Sequence, residues 1–295
     1  MNLINTKVLM SGAEFYNNEQ AINALMNAKD IVNRQKACEE HQVICDTLRS
    51  IDIDVIKVKA PENCQDGVYT ANWGLVINGT VIPSILPNIR QPEEPYALQV
   101  FKNLGLKIKE LPQEVSAFSG QGDCLVCDDY IFCQSPYRTD RKAHNYLRQF
   151  FPNKTVVSLQ TKPKRWFKFG PPKKNKITGW VDSPSYDLDL ALAVIRPGNA
   201  TEPPLIAYCP SLFIRKSRRI LNSLTNFQKI KVSHKEAIKD YALNLVSTGK
   251  KVVINSGTIH FKSELEKQKL EVIELNLPEL KKGGGSIRCC SLSLT

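Results

Sequence analysis

The chain has 295 residues with 42% hydrophobic and 23% charged side chains, a globular composition with material for a sizeable core and unlike that of a disordered chain. Its longest apolar runs fall short of the roughly 20 residues of a membrane span, and the N-terminus has no charged leader followed by a long apolar stretch, so a cytoplasmic protein is expected. The formal charge of +11 raises the question of a polyanionic partner.

In chain order, the apolar periodicity predicts a helix over 31–49 and a strand over 55–58. Residues 74–83 place Asn78-Gly79 between β-rich runs, a strong short-range hairpin signal. A helix over 94–104 and a strand over 106–111 follow. A second hairpin is predicted over 124–133, turning at Asp128-Asp129, then a helix over 140–150 and a strand over 155–159. Residues 188–195 and 204–209 read as a third strand pair joined through Pro197-Gly198-Asn199. Helical pattern returns over 234–247, and 265–275 reads as a helix end running into a strand. The theme of strand, turn, strand, helix, strand recurs without sequence identity, which indicates a structural repeat. No stretch qualifies as a linker, so one domain over 1–295 is expected.

Nine cysteines, an odd count in a chain with its own core, do not suggest a disulfide framework. Cys124 and Cys127 form a Cys-x-x-Cys, but no second Cys or His pair follows at zinc spacing, so neither metal nor cofactor is expected. The segment 162–176 is densely basic, with Trp166, Phe167 and Phe169 interleaved. That pattern suits phosphate contact with base stacking, whereas Pro163, Gly170, Pro171 and Pro172 read as a solvated loop. Arg215, Lys216, Arg218 and Arg219 have the spacing of an exposed helix face. No nucleic-acid motif accompanies either cluster, which leaves nucleic-acid binding as a remote alternative.

Near the C-terminus, three glycines precede Cys289, where the backbone can pass close to a ligand, and the neighbouring Arg288 could favour a thiolate. Cys290 is expected to face the opposite way, into the core.

Five motifs occur in an order that resembles the superfamily of amidinotransferases, dimethylarginine dimethylaminohydrolases and arginine deiminases. They are Gln65-Asp66-Gly67-Val68-Tyr69-Thr70-Ala71-Asn72-Trp73-Gly74, Phe118-Ser119-Gly120-Gln121-Gly122-Asp123, Tyr137-Arg138-Thr139-Asp140, Tyr186-Asp187-Leu188-Asp189 and Gly283-Gly284-Gly285-Ser286-Ile287-Arg288-Cys289. Val8-Leu9-Met10-Ser11-Gly12 and Ala21-Ile22-Asn23 are similar to that family's opening, so the resemblance spans essentially the whole chain.

The resemblance implies an α/β fold, the pentein: a five-fold α/β propeller of repeated strand-hairpin-helix units with its site at the centre. It also implies a cysteine that attacks a guanidinium carbon, a histidine that protonates the departing amine, and carboxylates that hold the planar guanidinium by paired hydrogen bonds. Cys289 matches the nucleophile, Asp66 and Asp189 match the guanidinium-binding aspartates, and Arg138 matches an arginine that pairs with the substrate carboxylate in several members. Asn72 and Ser119 stand within these motifs as further substrate-side candidates.

Two positions depart from the pattern. Active members carry Phe-Glu-Gly where this chain has Phe118-Ser119-Gly120, and His-Leu-Asp where it has Asp187-Leu188-Asp189. The histidine and the acid that orients it are both replaced. Asp187 takes the histidine's place as the candidate acid, which requires a strongly raised pKa through burial or through Asp189. His41, His144, His234 and His260 lie outside the motifs, with His144 nearest to one of them. Two readings therefore stand: a Cys289-dependent hydrolase or transferase of an arginine-like guanidino or amidino compound, and an inactive relative that binds a cationic small molecule. Whether the chain pairs as a homodimer is open.

Overall fold

The computed structural model describes residues 3–167 and 170–295; Phe169, one of the aromatic residues of the basic loop, lies outside them. Strand β1 (Lys7–Met10), helix α1 (Arg34–Ser50) and strand β2 (Asp54–Lys57) begin the chain. Asn33 caps α1 by accepting from the Lys36 amide, which starts the helix three residues later than the apolar pattern suggests. β1 and β2 pair in parallel, as a helical crossover requires.

The next units repeat one plan. Strands β3 (Gly74–Ile77) and β4 (Thr80–Pro83) form a hairpin, helix α2 (Glu93–Asn103) crosses over, and β5 (Lys107–Ile108) pairs in parallel with β4. Asn78 and Gly79 both have positive φ, 49° and 72°, the twist of the tight turn that their sequence signals. Strands β6 (Cys124–Cys127) and β7 (Tyr130–Gln134), helix α3 (Arg141–Phe150) and β8 (Thr155–Leu159) follow the same order. So do β9 (Leu192–Arg196), β10 (Leu205–Tyr208), α4 (Arg215–Ser223) and β11 (Gln228–Lys231).

After the short helix α5 (His234–Lys239), strands β12 (Val246–Ser247) and β13 (Lys251–Asn255), helix α6 (Ile259–Lys267) and β14 (Glu271–Leu275) complete a further unit. The helix expected over 234–247 stops early because Tyr241 adopts φ 56°, which a right-handed helix excludes. Helix α7 (Pro278–Lys281) leads to β15 (Leu292–Ser293), which pairs antiparallel with β1 and so finishes the first sheet with the last strand.

The result is five three-stranded sheets, each with an inner strand antiparallel to the middle one and an outer strand parallel to it. This is the five-fold α/β propeller expected from the sequence. Apolar residues of the strands and of the inward helix faces, such as Ile44, Leu48, Phe101, Leu147, Leu221 and Leu265, are fully buried. They form separate clusters beneath the helices and between neighbouring sheets.

Each inner strand is preceded by a tight turn: 70–73 before β3, 120–122 before β6, 188–190 before β9, 241–245 before β12 and 286–290 before β15. Asn72, Asp189, Asn244 and Cys289 each stand two or three residues ahead of an inner strand. Repetition of one plan thus brings polar residues far apart in sequence to one centre.

Candidate functional site

Cys289 lies in a turn rather than a strand, and its side chain is 2% exposed. Its Sγ lies 3.2 Å from Asp189 Oδ2, and the Asn244 amide donates to it from 3.0 Å. Burial first, then the neighbouring Asp189 and Asp187 carboxyls, push the thiol well above its ordinary range. Arg288 does not offset this by pairing with the sulfur. Its guanidinium turns away, donating to Gln121 Oε1 at 2.9 Å and Asn5 Oδ1 at 3.4 Å. The sequence-based expectation that Arg288 favours a thiolate is therefore corrected: adjacency in sequence does not bring the guanidinium to the sulfur, because its hydrogen bonds go to Gln121 and Asn5. Cys290 is fully buried in the apolar cluster under α1, as expected.

Asp189 is fully enclosed, with Oδ1 unpartnered. Burial, with the nearby Asp187 as the second cause, pushes its carboxyl up to about 8, so that it holds a proton at neutral pH. Asp66 is likewise buried with Oδ1 unpartnered, while Oδ2 accepts from Gln65 Nε2 at 3.1 Å. Burial raises it to about 6, against the lowering influence of Arg90. Two enclosed carboxyls, each with one free oxygen, are a donor-seeking pair of the kind a planar cation satisfies.

Asp187 is engaged differently. Its Oδ1 accepts from Ser119 Oγ at 3.0 Å and its Oδ2 from Asn72 Nδ2 at 2.9 Å, with Arg138 Nη1 at 3.8 Å. No hydrogen bond joins it to Cys289 among the described residues. The carboxyl oxygen that touches the sulfur is Asp189 Oδ2.

Asn72 is held from behind by Arg90, whose Nη1 donates to Asn72 Oδ1 at 2.9 Å and whose Nε and Nη2 make a two-point pair with Glu93 at 2.8 and 2.7 Å. Arg138 packs over the Tyr186 ring at 4.1 Å and donates to the Ile22 carbonyl at 3.3 Å.

Ile22, Asn23, Asp66, Asn72, Arg138 and Cys289 are among the residues around a cavity of 10 Å³. That is room for about one water. The 11–33 segment, which has no helix or strand, closes it: Asn23 Nδ2 donates to the Gly283 carbonyl at 2.9 Å. Anything larger than a water requires these contacts to give way. A larger cavity of 220 Å³ runs along the inner strands past Val76, Leu125, Ala193 and Ser293 and has Asp189 and Arg288 in its wall. Asp189 thus lines the larger cavity and meets the small one through its contact with Cys289 Sγ.

None of the four histidines is near the sulfur. His144 is buried with Nδ1 2.8 Å from Ser158 Oγ and Nε2 3.2 Å from the Gln134 carbonyl, and burial lowers it to about 4. His41 packs under α1 beside Cys45, also lowered by burial, to about 3. His234 contacts Ser211, and His260 is exposed on α6.

Cys124 and Cys127 lie on β6, and Cys124 Sγ is 3.2 Å from Cys133 Sγ across the hairpin. No metal-holding group of His, Cys, Asp or Glu occurs among the described residues, and no helix there is long and apolar enough to cross a membrane. In the basic loop, Trp166 and Phe167 are exposed, and Lys173 lies over the Trp166 ring at 5.3 Å.

Sequence reasoning missed Asn244, Arg90, Glu93 and Gln121. The recurring position ahead of an inner strand is the signal that identifies Asn244 once the repeat is known.

Comparison with known proteins agrees with this layout. The N(G),N(G)-dimethylarginine dimethylaminohydrolase of Mycobacterium tuberculosis is 27% identical over 286 residues, covering 97% of this chain and 84% of that protein. The bifunctional arginine dihydrolase/ornithine cyclodeaminase AgrE of Nostoc sp. is 26% identical over 98% of this chain, which spans only 38% of the length of that relative. A crystal structure of the N-terminal domain of ArgZ, covalently bound to a reaction intermediate, superposes with a TM-score of 0.83 at 25% identity, covering 98% of this chain and 97% of the other. A dimethylarginine dimethylaminohydrolase adduct shares the fold at a TM-score of 0.69 and 14% identity, covering 97% of this chain and 98% of that one. The family model described as eukaryotic N,N dimethylarginine dimethylhydrolase matches residues 11–166, just over half of the sequence. On that match, the chain belongs to the dimethylarginine dimethylaminohydrolase family of the pentein superfamily.

Proposed function

We propose that this protein is a cysteine-dependent hydrolase of an arginine-like guanidino or amidino compound, working through a covalent intermediate on Cys289. The observation that carries the reading is the bracketing of Cys289 Sγ by Asp189 and Asn244 beside a cavity also bordered by Asp66 and Arg138. Asp66 and Asp189 hold the guanidinium N–H groups through their free oxygens. Arg138 faces a substrate carboxylate, with Asn72 and Ser119 supporting the site through Asp187.

In this reading Cys289, having lost its proton to solvent, attacks as the thiolate and its Sγ forms a bond to the guanidinium carbon. The C–N bond to the departing amine breaks as the Asp189 carboxyl gives that amine its proton. Water then adds to the thiouronium carbon, returning a proton to Asp189, the C–S bond breaks, and a ureido product and the free thiol remain. Asp187 acts at a distance, its nearby carboxylate helping to keep Asp189 protonated. An acceptor amine in place of water makes the same intermediate a transferase reaction.

The absence of an imidazole from the Cys289 contacts favours a second reading, an inactive relative that binds a guanidine-type cation. Incubation with arginine, methylated arginines and agmatine, followed by product assay and intact mass, separates the two. Ureido product, or an adduct at Cys289 that a Cys289→Ser protein lacks, is the expected outcome. No product and no adduct, with a guanidine still raising the melting temperature, overturns the enzyme in favour of the binder.

A further inference from the structure

We infer that Asn244 is the positioning residue of the Cys289 thiol, fixing the turn that carries it and donating to its sulfur from the same side chain. Asn244 Oδ1 accepts three backbone N–H groups of that turn, from Ser286 at 3.0 Å, Arg288 at 3.1 Å and Cys289 at 3.2 Å. Its Nδ2 donates to Cys289 Sγ at 3.0 Å. A planar amide accepts at one end and donates at the other in a fixed geometry, which neither a carboxylate nor a hydroxyl of that reach reproduces.

The amide is itself held in place. Asn244 is fully buried, and Asn255 Nδ2 donates to the carbonyls of both Tyr241 and Asn244, at 3.0 and 3.2 Å. Asn255 Oδ1 in turn accepts from Ser286 Oγ at 2.6 Å. Two asparagines on the fifth unit thereby tie its own turn, 241–245, to the turn before β15. Because the last strand completes the first sheet, this tie also fixes the nucleophile's turn across the junction where the two ends of the chain meet.

At the sulfur the two side-chain contacts have opposite roles. Asp189 Oδ2 accepts the S–H of the resting thiol, whereas Asn244 N–H can only donate and so favours the sulfur once it carries negative charge. With Arg288 turned away, this amide is the contact that lowers the cost of ionising Cys289 against two nearby carboxyls.

The inference rests on Cys289 as nucleophile only for its consequence in turnover, so its test reads the thiol directly. The intact chain, the Asn244→Asp variant and the Asn244→Ala variant are labelled with iodoacetamide and with chloroacetamidine from pH 6 to pH 10, and Cys289 is followed by peptide mass. Asn244→Asp keeps an acceptor for the three N–H groups and replaces the amide donor with a further carboxyl, whose charge those three N–H groups compensate, so it is expected to melt within a few degrees of the parent. Its Cys289 labelling is expected to slow by about tenfold at fixed pH, with the midpoint moved upward. Asn244→Ala loses both functions and is expected to melt lower as well. Superimposable labelling profiles for parent and Asn244→Asp, or no labelling of Cys289 in any of the three proteins, overturn the inference. A parent that labels as expected but turns over no guanidine leaves it standing while the proposed function fails.

Discussion

Ser119 donates its hydroxyl to Asp187 across 3.0 Å, joining the two positions at which this chain departs from the Glu and His of active relatives. Asn72 supplies the second hydrogen bond to Asp187, so the carboxylate is satisfied without touching the sulfur. What the exchange removes is a proton donor near neutral pH; what it adds is a charge beside Asp189.

Restoring both partners should therefore restore proton transfer. The double variant Ser119→Glu with Asp187→His is expected to form ureido product about a hundredfold faster than the parent, the scale of a positioned general acid. Asp187→His alone should gain less, because its imidazole lacks the orienting carboxylate. Steady-state product formation from the best substrate of the parent checks this, and a double variant no faster than the parent would count against the site being arranged for C–N cleavage.

The raised carboxyls predict how stability depends on pH. Asp189 rises from about 3.8 to about 8 and Asp66 from about 3.8 to about 6, so the folded protein binds more protons than the unfolded chain between those values. The favourable contribution is complete below about pH 3.8 and is lost as pH rises, through 6 for Asp66 and through 8 for Asp189. Asp189→Asn, which removes the charge and keeps the shape, is expected to melt about 2–4 °C higher than the parent at pH 8.5, with the gap narrowing steadily as pH falls towards 4. Thermal melts across that range decide it.

The hairpins and crossovers were legible because their signals are local: Asn78-Gly79 demands its turn, and the apolar spacing of 140–150 falls on one helix face. Cys289, Asp66 and Asp189, the proposed nucleophile and guanidinium ligands, were singled out through motif resemblance, not through any local property. Asn244 was not, since Ala237, Tyr241, Ala242, Leu245 and Val246 continue a helical pattern that only the positive φ of Tyr241 interrupts. Arg90 and Glu93 escaped notice for a different reason. A buried ion pair has no periodic signature, and its role here depends on Asn72, which lies 18 residues from Arg90 and meets it only in the fold.

That pair carries its own prediction. Glu93 accepts from Arg90 at two points and from Trp73 Nε1 at 3.1 Å, all of them enclosed. Glu93→Ala leaves a buried guanidinium without its counter-charge and is expected to cost about 3–5 kcal/mol, read as a lower denaturation midpoint. Arg90 also holds Asn72, so the shift in melting temperature produced by a bound guanidine should shrink as well. A loss below about 1 kcal/mol would mean that Asp66 and Asp187 already balance Arg90 without Glu93.

Two glycine substitutions separate the site from the scaffold. A Cβ on Gly122 would lie 2.3 Å from Asn72 Nδ2 and 2.9 Å from Asp187 Oδ2, and neither group can retreat while Arg90 and Ser119 hold them. Gly122→Ala is expected to cost about 1–3 kcal/mol by overpacking and to abolish the guanidine-induced rise in melting temperature. Gly79 has φ 72° with nothing within 4 Å of an added Cβ, so Gly79→Ala carries only backbone strain, about 1 kcal/mol, at a hairpin tip. Its guanidine response should match the parent's. If Gly122→Ala instead bound a guanidine as well as Gly79→Ala does, the Asn72–Asp187 contact would have no part in holding the ligand, and the site would rest on Asp66, Asp189 and Cys289 alone.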